Sequence, residues 1–202
     1  MKIFQLLVVL LVFSTQSAAA KTLLVLGDSL SAAYNMQPQQ GWVALMAERI
    51  ALQHPAVKVV NASISGETTS GGLTRLPELL DRHQPDYIVL ELAANDGLRG
   101  MPLQIIKKNL KQLIGLSKQV PAQVLILGVR LPTNYGPRYT EQFFRLFAEL
   151  AQQQSISIVP FFMQGIALQS ALMQADGLHP NARAQPFILE NVWPAVNEML
   201  EK

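Results

Sequence analysis

The 202-residue sequence contains no cysteine. Disulfides, thiol nucleophiles and thiolate metal sites are therefore excluded. Charge is also scarce, at 15% of residues, and the formal balance is only +2. No run of Lys and Arg stands out. Lys107, Lys108, Lys111 and Lys118 fall along one helical segment and read as its solvated face rather than a nucleic-acid patch. Histidine is rarer still. His54, His83 and His179 are far apart and form no His-x-His or Glu-x-x-His cluster, so neither a metal nor another cofactor is expected. Long apolar runs are missing except at the start, where Ile3 to Phe13 is too short to span a bilayer.

That N-terminal stretch has a positive start at Met1-Lys2 and a small-residue end at Ala18-Ala19-Ala20 before Lys21. It reads as a signal peptide over residues 1–20. The expectation is an exported chain, periplasmic or secreted, with no stable membrane insertion after cleavage. Loss of Lys2 leaves 15 basic against 14 acidic residues, a net charge of +1. Half of the residues are hydrophobic, which suits a compact core.

Five short runs rich in Val, Ile and Leu read as strands: 22–27, 57–62, 87–92, 124–129 and 156–160. They lack polar alternation, the pattern of strands covered on both faces in a parallel sheet. Between them, 41–53, 72–83, 102–119 and 139–153 carry apolar residues at helical spacing. After Pro180 an interrupted helix is expected, because Pro186 and Pro194 each remove an amide. Strand–helix alternation predicts an α/β fold with a doubly wound parallel sheet. No linker or repeat appears, so residues 21–202 read as one domain. No apolar stripe exceeds the needs of a core, so a monomer is expected.

Ligands of such sheets gather beyond the carboxyl ends of the strands. The residues there are Gly27-Asp28-Ser29-Leu30-Ser31, then Ser63 to Thr68, then Ala93 to Gly97, then Arg130 to Gly136, and finally Asp176-Gly177-Leu178-His179-Pro180. A serine hydroxyl needs a base, and the base needs an orienting carboxylate. His54 and His83 lie on connections entering strands, at the opposite edge, and read as surface histidines. His179 is on the functional edge, three residues after Asp176, and that spacing can bring a carboxylate to Nδ1. Ser29 follows the first strand directly, and the residues after it can begin a helix whose dipole aids an oxyanion. Gly66 can offer a bare amide and Asn95 a side-chain amide.

These blocks, taken together, resemble the SGNH, or GDSL, hydrolase family across the whole mature chain. Gly27-Asp28-Ser29-Leu30, Gly66, Asn95-Asp96 and Asp176-Gly177-Leu178-His179-Pro180 carry the resemblance. Asn95 to Gly100 and Arg130 to Gly136 are most similar to bacterial periplasmic members that act as acyl-CoA thioesterase, lysophospholipase and arylesterase. The resemblance implies a three-layer α/β/α fold with five parallel strands in the order 2-1-3-4-5. It implies Ser29 as nucleophile, His179 as base, Asp176 as its orienter, and Ser29, Gly66 and Asn95 as oxyanion donors. The substrate is then a small-molecule acyl ester or thioester. One position departs from the pattern, since Ala93 stands where the family has glycine. If that glycine supplies backbone freedom, Asn95 is displaced, because alanine resists positive φ; if it only avoids bulk, one methyl is tolerated. Leu98 and Met101, in a glycine-bounded loop, and Leu131 and Tyr135 opposite, are candidate walls for an acyl chain, or else simply pack the loops.

Overall fold

The computed structural model describes residues 20–202. The expected leader, apart from Ala20, lies outside the described residues. Five parallel strands form one sheet in the order β2-β1-β3-β4-β5. They are β1 (Lys21–Gly27), β2 (Val57–Asn61), β3 (Tyr87–Glu91), β4 (Gln123–Leu127) and β5 (Ser157–Val159). The central strands are apolar because both faces are covered. Leu23 to Leu26 and Ile88 to Leu90 are wholly inaccessible. The edge strands differ from expectation. β2 and β5 are only partly buried, since each has a single neighbour and one open side.

Helices α1 (Trp42–Gln53) and α6 (Gln185–Leu200) pack together as one layer. Helices α2 (Thr69–His83), α4 (Leu103–Ser117) and α5 (Pro137–Gln154) form the other, with the short α3 (Ala94–Leu98) joining β3 to α4. Helix α2 begins earlier than its apolar stripe suggests, because the Thr68 side chain caps it by accepting from Gly71 N at 3.1 Å. Helix α6 is not interrupted. Pro186 sits in its first turn, where an amide has no helical partner anyway. Pro194 is carried inside because Ile188, Leu189, Val192, Val196 and Met199 anchor the helix to the core on both sides of it.

Strand register sets the site. Gly27 at the end of β1 lies beside Glu91 at the end of β3. The two chains therefore leave the sheet at one level, Asp28-Ser29 from the first and Leu92 to Asn95 from the second.

Candidate active site

The turn after β1 is short and tight. Asp28 is fully buried, and its carbonyl accepts from Ser31 N at 3.2 Å and Ala32 N at 2.9 Å. Its carboxylate Oδ1 accepts from Leu30 N at 3.0 Å. Ser29 is thus held at the apex, half-buried. No helix follows it, contrary to expectation. The chain instead passes through left-handed residues Ala33 and Asn35, and α1 starts only at Trp42, so no helix dipole acts at Ser29.

The last loop before α6 closes on itself. Met173 bridges Pro180, and Gln174 N donates to the His179 carbonyl at 2.7 Å. Asp176 Oδ1 accepts from Leu178 N at 2.9 Å and His179 N at 3.0 Å. Its other oxygen lies 2.7 Å from His179 Nδ1. A carboxylate only accepts, so Nδ1 carries the hydrogen and Nε2 is left as an acceptor. His179 Nε2 is 2.9 Å from Ser29 Oγ. Partial burial works to raise the Asp176 carboxyl, but the hydrogen bonds from His179 and Leu178 outweigh it and hold it at about 2.

A side-chain staple ties the two loops together. Gln174 Nε2 donates to the Tyr34 carbonyl at 3.0 Å, and Asn35 Nδ2 donates to Gln174 Oε1 at 3.2 Å. The Tyr34 ring lies 4.3 Å, centroid to centroid, from the His179 imidazole. Sequence reasoning left Tyr34 without a role; its neighbours at positive φ, an alanine and an asparagine, give only a weak signal.

Two backbone amides beyond the strand ends stand without partners. Among the described residues, neither Ser29 N nor Gly66 N donates to any acceptor. Gly66 has φ +81, in a turn closed by Glu67 N donating to Ile64 O at 3.1 Å. That turn is braced by Arg75, which pairs with Glu67 at 2.8 Å and donates to Ala62 O at 2.7 Å. Asn95 is differently placed. Its Nδ2 donates to Asp28 Oδ2 at 3.1 Å and to Glu67 O at 3.0 Å, so both hydrogens are already engaged.

Ala93 answers the question its departure raised. It is fully buried with φ +97, so the position does demand the left-handed region, and alanine occupies it. Asn95 stays in contact with the turn that carries Ser29 despite this. The next residues form α3 rather than a loop. Gly97 is no hinge; a Cβ there would meet Leu131 Cδ2 at 2.7 Å, so the glycine permits close packing.

Beside the Ser29–His179 pair opens a cavity of about 600 Å³. Leu98, Val129, Leu131, Phe161, Met163 and Leu168 line much of it, making it mainly apolar. Of the four candidate wall residues, Leu98 and Leu131 belong to it. Met101 and Tyr135 are not among its lining residues. Met101 turns toward the core, with its carbonyl accepting from Tyr139 Oη at 2.7 Å, and Tyr135 sits exposed on a 3-10 turn. The remaining histidines are elsewhere. His54 is half-buried rather than a plain surface residue, with Nε2 2.9 Å from Asn197 Oδ1.

Residues 25–185 match the model of the GDSL-like Lipase/Acylhydrolase family. The chain is 50% identical over 190 residues to Esterase TesA of Pseudomonas aeruginosa, covering 94% of each. It is 46% identical over 185 residues to Thioesterase 1/protease 1/lysophospholipase L1 of Escherichia coli K12, covering 92% of this chain and 86% of that one. The crystal structure of the psychrotrophic esterase EstA from Pseudoalteromonas, inhibited by monoethylphosphonate, superposes with a TM-score of 0.85 at 40% identity. That match covers 90% of this chain and all of the other.

Proposed function

The chain belongs to the GDSL-like lipase/acylhydrolase family and is an ester hydrolase of the thioesterase and lysophospholipase type; we propose that it works through an acyl-enzyme on Ser29 and takes apolar acyl chains. The observation that carries this reading is the unbroken line from Asp176 through His179 to Ser29 Oγ, with contacts of 2.7 and 2.9 Å.

Along that line the groups divide the work. Asp176, whose carboxyl is held at about 2 by its hydrogen bonds, accepts from Nδ1–H and so fixes the imidazole tautomer. His179 Nε2 takes the hydroxyl proton as Ser29 Oγ attacks the acyl carbonyl. The carbonyl oxygen becomes an oxyanion at the unpaired Ser29 and Gly66 amides. Unpaired donors fixed in place gain a full hydrogen bond only when that charge develops, which favours the transition state. Asn95 joins them by a three-centre bond, or by giving up the Glu67 carbonyl. His179 then returns that proton to the departing group, an alcohol or a thiol, and is neutral again. Water gives a proton to the same imidazole as it attacks the acyl-enzyme carbonyl, and Ser29 Oγ takes that proton back as the acid leaves.

The cavity gives the acyl group somewhere to lie. Its volume falls within the roughly 300–1,000 Å³ of small-molecule sites, and its apolar lining suits a hydrocarbon chain. The E. coli relative is named as thioesterase and lysophospholipase, and both substrates place such a chain next to the scissile carbonyl. All the groups invoked come from one chain, so the reading needs only a monomer. We also propose export, with cleavage after Ala20; N-terminal sequencing of periplasmic protein should begin at Lys21.

The test is a series of p-nitrophenyl esters of rising chain length, with Ser29→Ala as control. Turnover should rise from acetyl toward longer chains and vanish in the variant, together with fluorophosphonate labelling. Preference for acetyl would defeat the acyl-cavity reading. Full turnover by the variant would defeat the assignment of Ser29.

A further inference from the structure

Glu91 ends β3, in the middle of the sheet, and is completely buried. No step of the proposed mechanism uses it. It lies directly beneath the nucleophile turn. Its Oε2 accepts from Ser31 Oγ at 2.8 Å and, more weakly, from Asp28 N at 3.3 Å. The absence of a side chain at Gly27 makes the room, since a Cβ there would stand 2.9 Å from Glu91 Oε2 and 2.8 Å from Ser31 Cβ. The other carboxyl oxygen, Oε1, is buried and has no donor.

The neighbouring acidic group is Asp28, also fully buried, whose backbone N donates to Glu91 and whose carboxyl is close enough for each acid to shift the other. Asp28 Oδ1 is bonded to Leu30 N, and Oδ2 to Asn95 Nδ2. Neither carboxyl has a Lys or Arg partner among the described residues; the one group able to carry positive charge that bears on Asp28 is His179. Two adjacent buried carboxylates without a cation cannot both stay ionised. Burial pushes the Glu91 carboxyl well above the usual range, and pushes Asp28 up to about 6.

We propose that Glu91 keeps its proton in the working enzyme and donates it to the Asp28 carboxylate, making Glu91 a positioning residue for both the nucleophile turn and Asn95. Placing the hydrogen on Oε1 gives every buried oxygen of the pair a partner. Oε1–H donates to Asp28, and Oε2 accepts from Ser31 and Asp28 N. Asp28 is then a bound anion with three donors, from Glu91, Leu30 and Asn95. One rigid line therefore runs from the floor of β3 to an amide on the oxyanion side, and passes under Ser29 on the way. The charge of that anion is also felt at His179, which becomes positive as the serine proton is taken.

This inference rests on the reading of Ser29 and Asn95 given above, but its first measurement does not. Difference infrared spectra at about pH 8, where ordinary carboxyls are ionised, should show the carbonyl stretch of a protonated carboxylic acid in the wild type. The band should be missing in Glu91→Gln. Glutamine supplies an N–H in place of the shared proton, so this variant should keep kcat within about threefold of the wild type. Glu91→Ala should remain labelled by fluorophosphonate but lose kcat on the order of a hundredfold with little change in KM, the cost of slightly misplaced reacting groups. If Glu91→Ala does not fold, the infrared comparison still decides. Absence of the band in the wild type, its persistence in Glu91→Gln, or wild-type kcat in Glu91→Ala would overturn the proposal. Loss of labelling in the wild type would instead remove the reading of Ser29.

Discussion

Replacing Gly66 with alanine separates two demands made on one residue. The backbone there has φ +81, and an added Cβ would meet nothing within 4 Å. Sterics with neighbours therefore contribute nothing, and the cost is conformational. A left-handed alanine costs about 1–2 kcal/mol, while the stiffer unfolded chain returns about 0.4–1 kcal/mol. The net loss is about 0–1.6 kcal/mol, or a fall in Tm of no more than about 6 °C for a chain of this size. The alternative is that the turn relaxes to negative φ and swings the amide away. Holding it in place are Glu67 N on Ile64 O, Asn95 Nδ2 on Glu67 O and Arg99 on the Gly66 carbonyl. Three such bonds at about 0.5–1.5 kcal/mol each outweigh the strain. The turn should hold, the amide should stay, and kcat on a p-nitrophenyl ester should drop by no more than about threefold. Loss of one oxyanion donor would cost about 10²–10³ in kcat. Thermal melts and steady-state kinetics on the same preparation distinguish the cases. A hundredfold lower kcat at unchanged Tm would show that the turn relaxes, and would refute the comparison of strain with hydrogen bonds.

Asp176→Asn keeps an oxygen to accept from Leu178 N and His179 N, but turns an NH₂ toward Nδ1. The imidazole must then carry its hydrogen on Nε2, facing Ser29, and kcat should fall by up to about 10⁴. The same substitution has a pH signature. The folded-state carboxyl is depressed to about 2, so its stabilising contribution is present above the ordinary value of about 3.9 and is lost as pH falls toward 2. The Tm difference between wild type and variant should therefore close across that window, and a constant difference would count against the hydrogen bonds assigned to Asp176. Ala93→Gly relieves about 1–2 kcal/mol of strain but loses a buried methyl worth about 0.8 kcal/mol and adds about 0.4–1 kcal/mol of unfolded-chain entropy. Chemical denaturation should place it within about 1 kcal/mol of wild type, whereas a destabilisation above 2 kcal/mol would mean that the methyl does more than fill space.

The sheet was legible because its three central strands are covered on both faces, so burial wrote unbroken apolar runs into β1, β3 and β4. The edge strands were legible for a weaker reason: β2 and β5 still alternate with helices in the right order. Helix α3 was not legible. Its residues, Ala94-Asn95-Asp96-Gly97, have the composition of a turn. It is held by a long-range contact, in which the buried Asp96 carboxylate accepts from Thr69 N at 2.9 Å and from the Thr69 hydroxyl. Local propensity carries no information about a partner 27 positions away. The continuity of α6 through Pro194 failed to show for the same reason, since tertiary anchoring overrode a local penalty.

The site divides along similar lines. Ser29, Asp176 and His179 could be picked out because each carries its chemistry in its own side chain and stands just past a strand. Tyr34 and the Gln174 staple could not, because their roles lie in contacts spanning about 140 residues. Glu91 is the instructive case. A carboxyl inside an apolar central strand conflicts with burial at the level of sequence alone, yet the surrounding Tyr87-Ile88-Val89-Leu90 made the run read as plain core. Ala93, two residues on, conflicts with its backbone in the same way. Both conflicts fall within one turn of chain beneath Ser29, which is where a fold that must hold reacting groups still is expected to tolerate local cost. Residues that contradict their own surroundings are therefore a better guide to the supporting shell of this site than residues that merely look reactive.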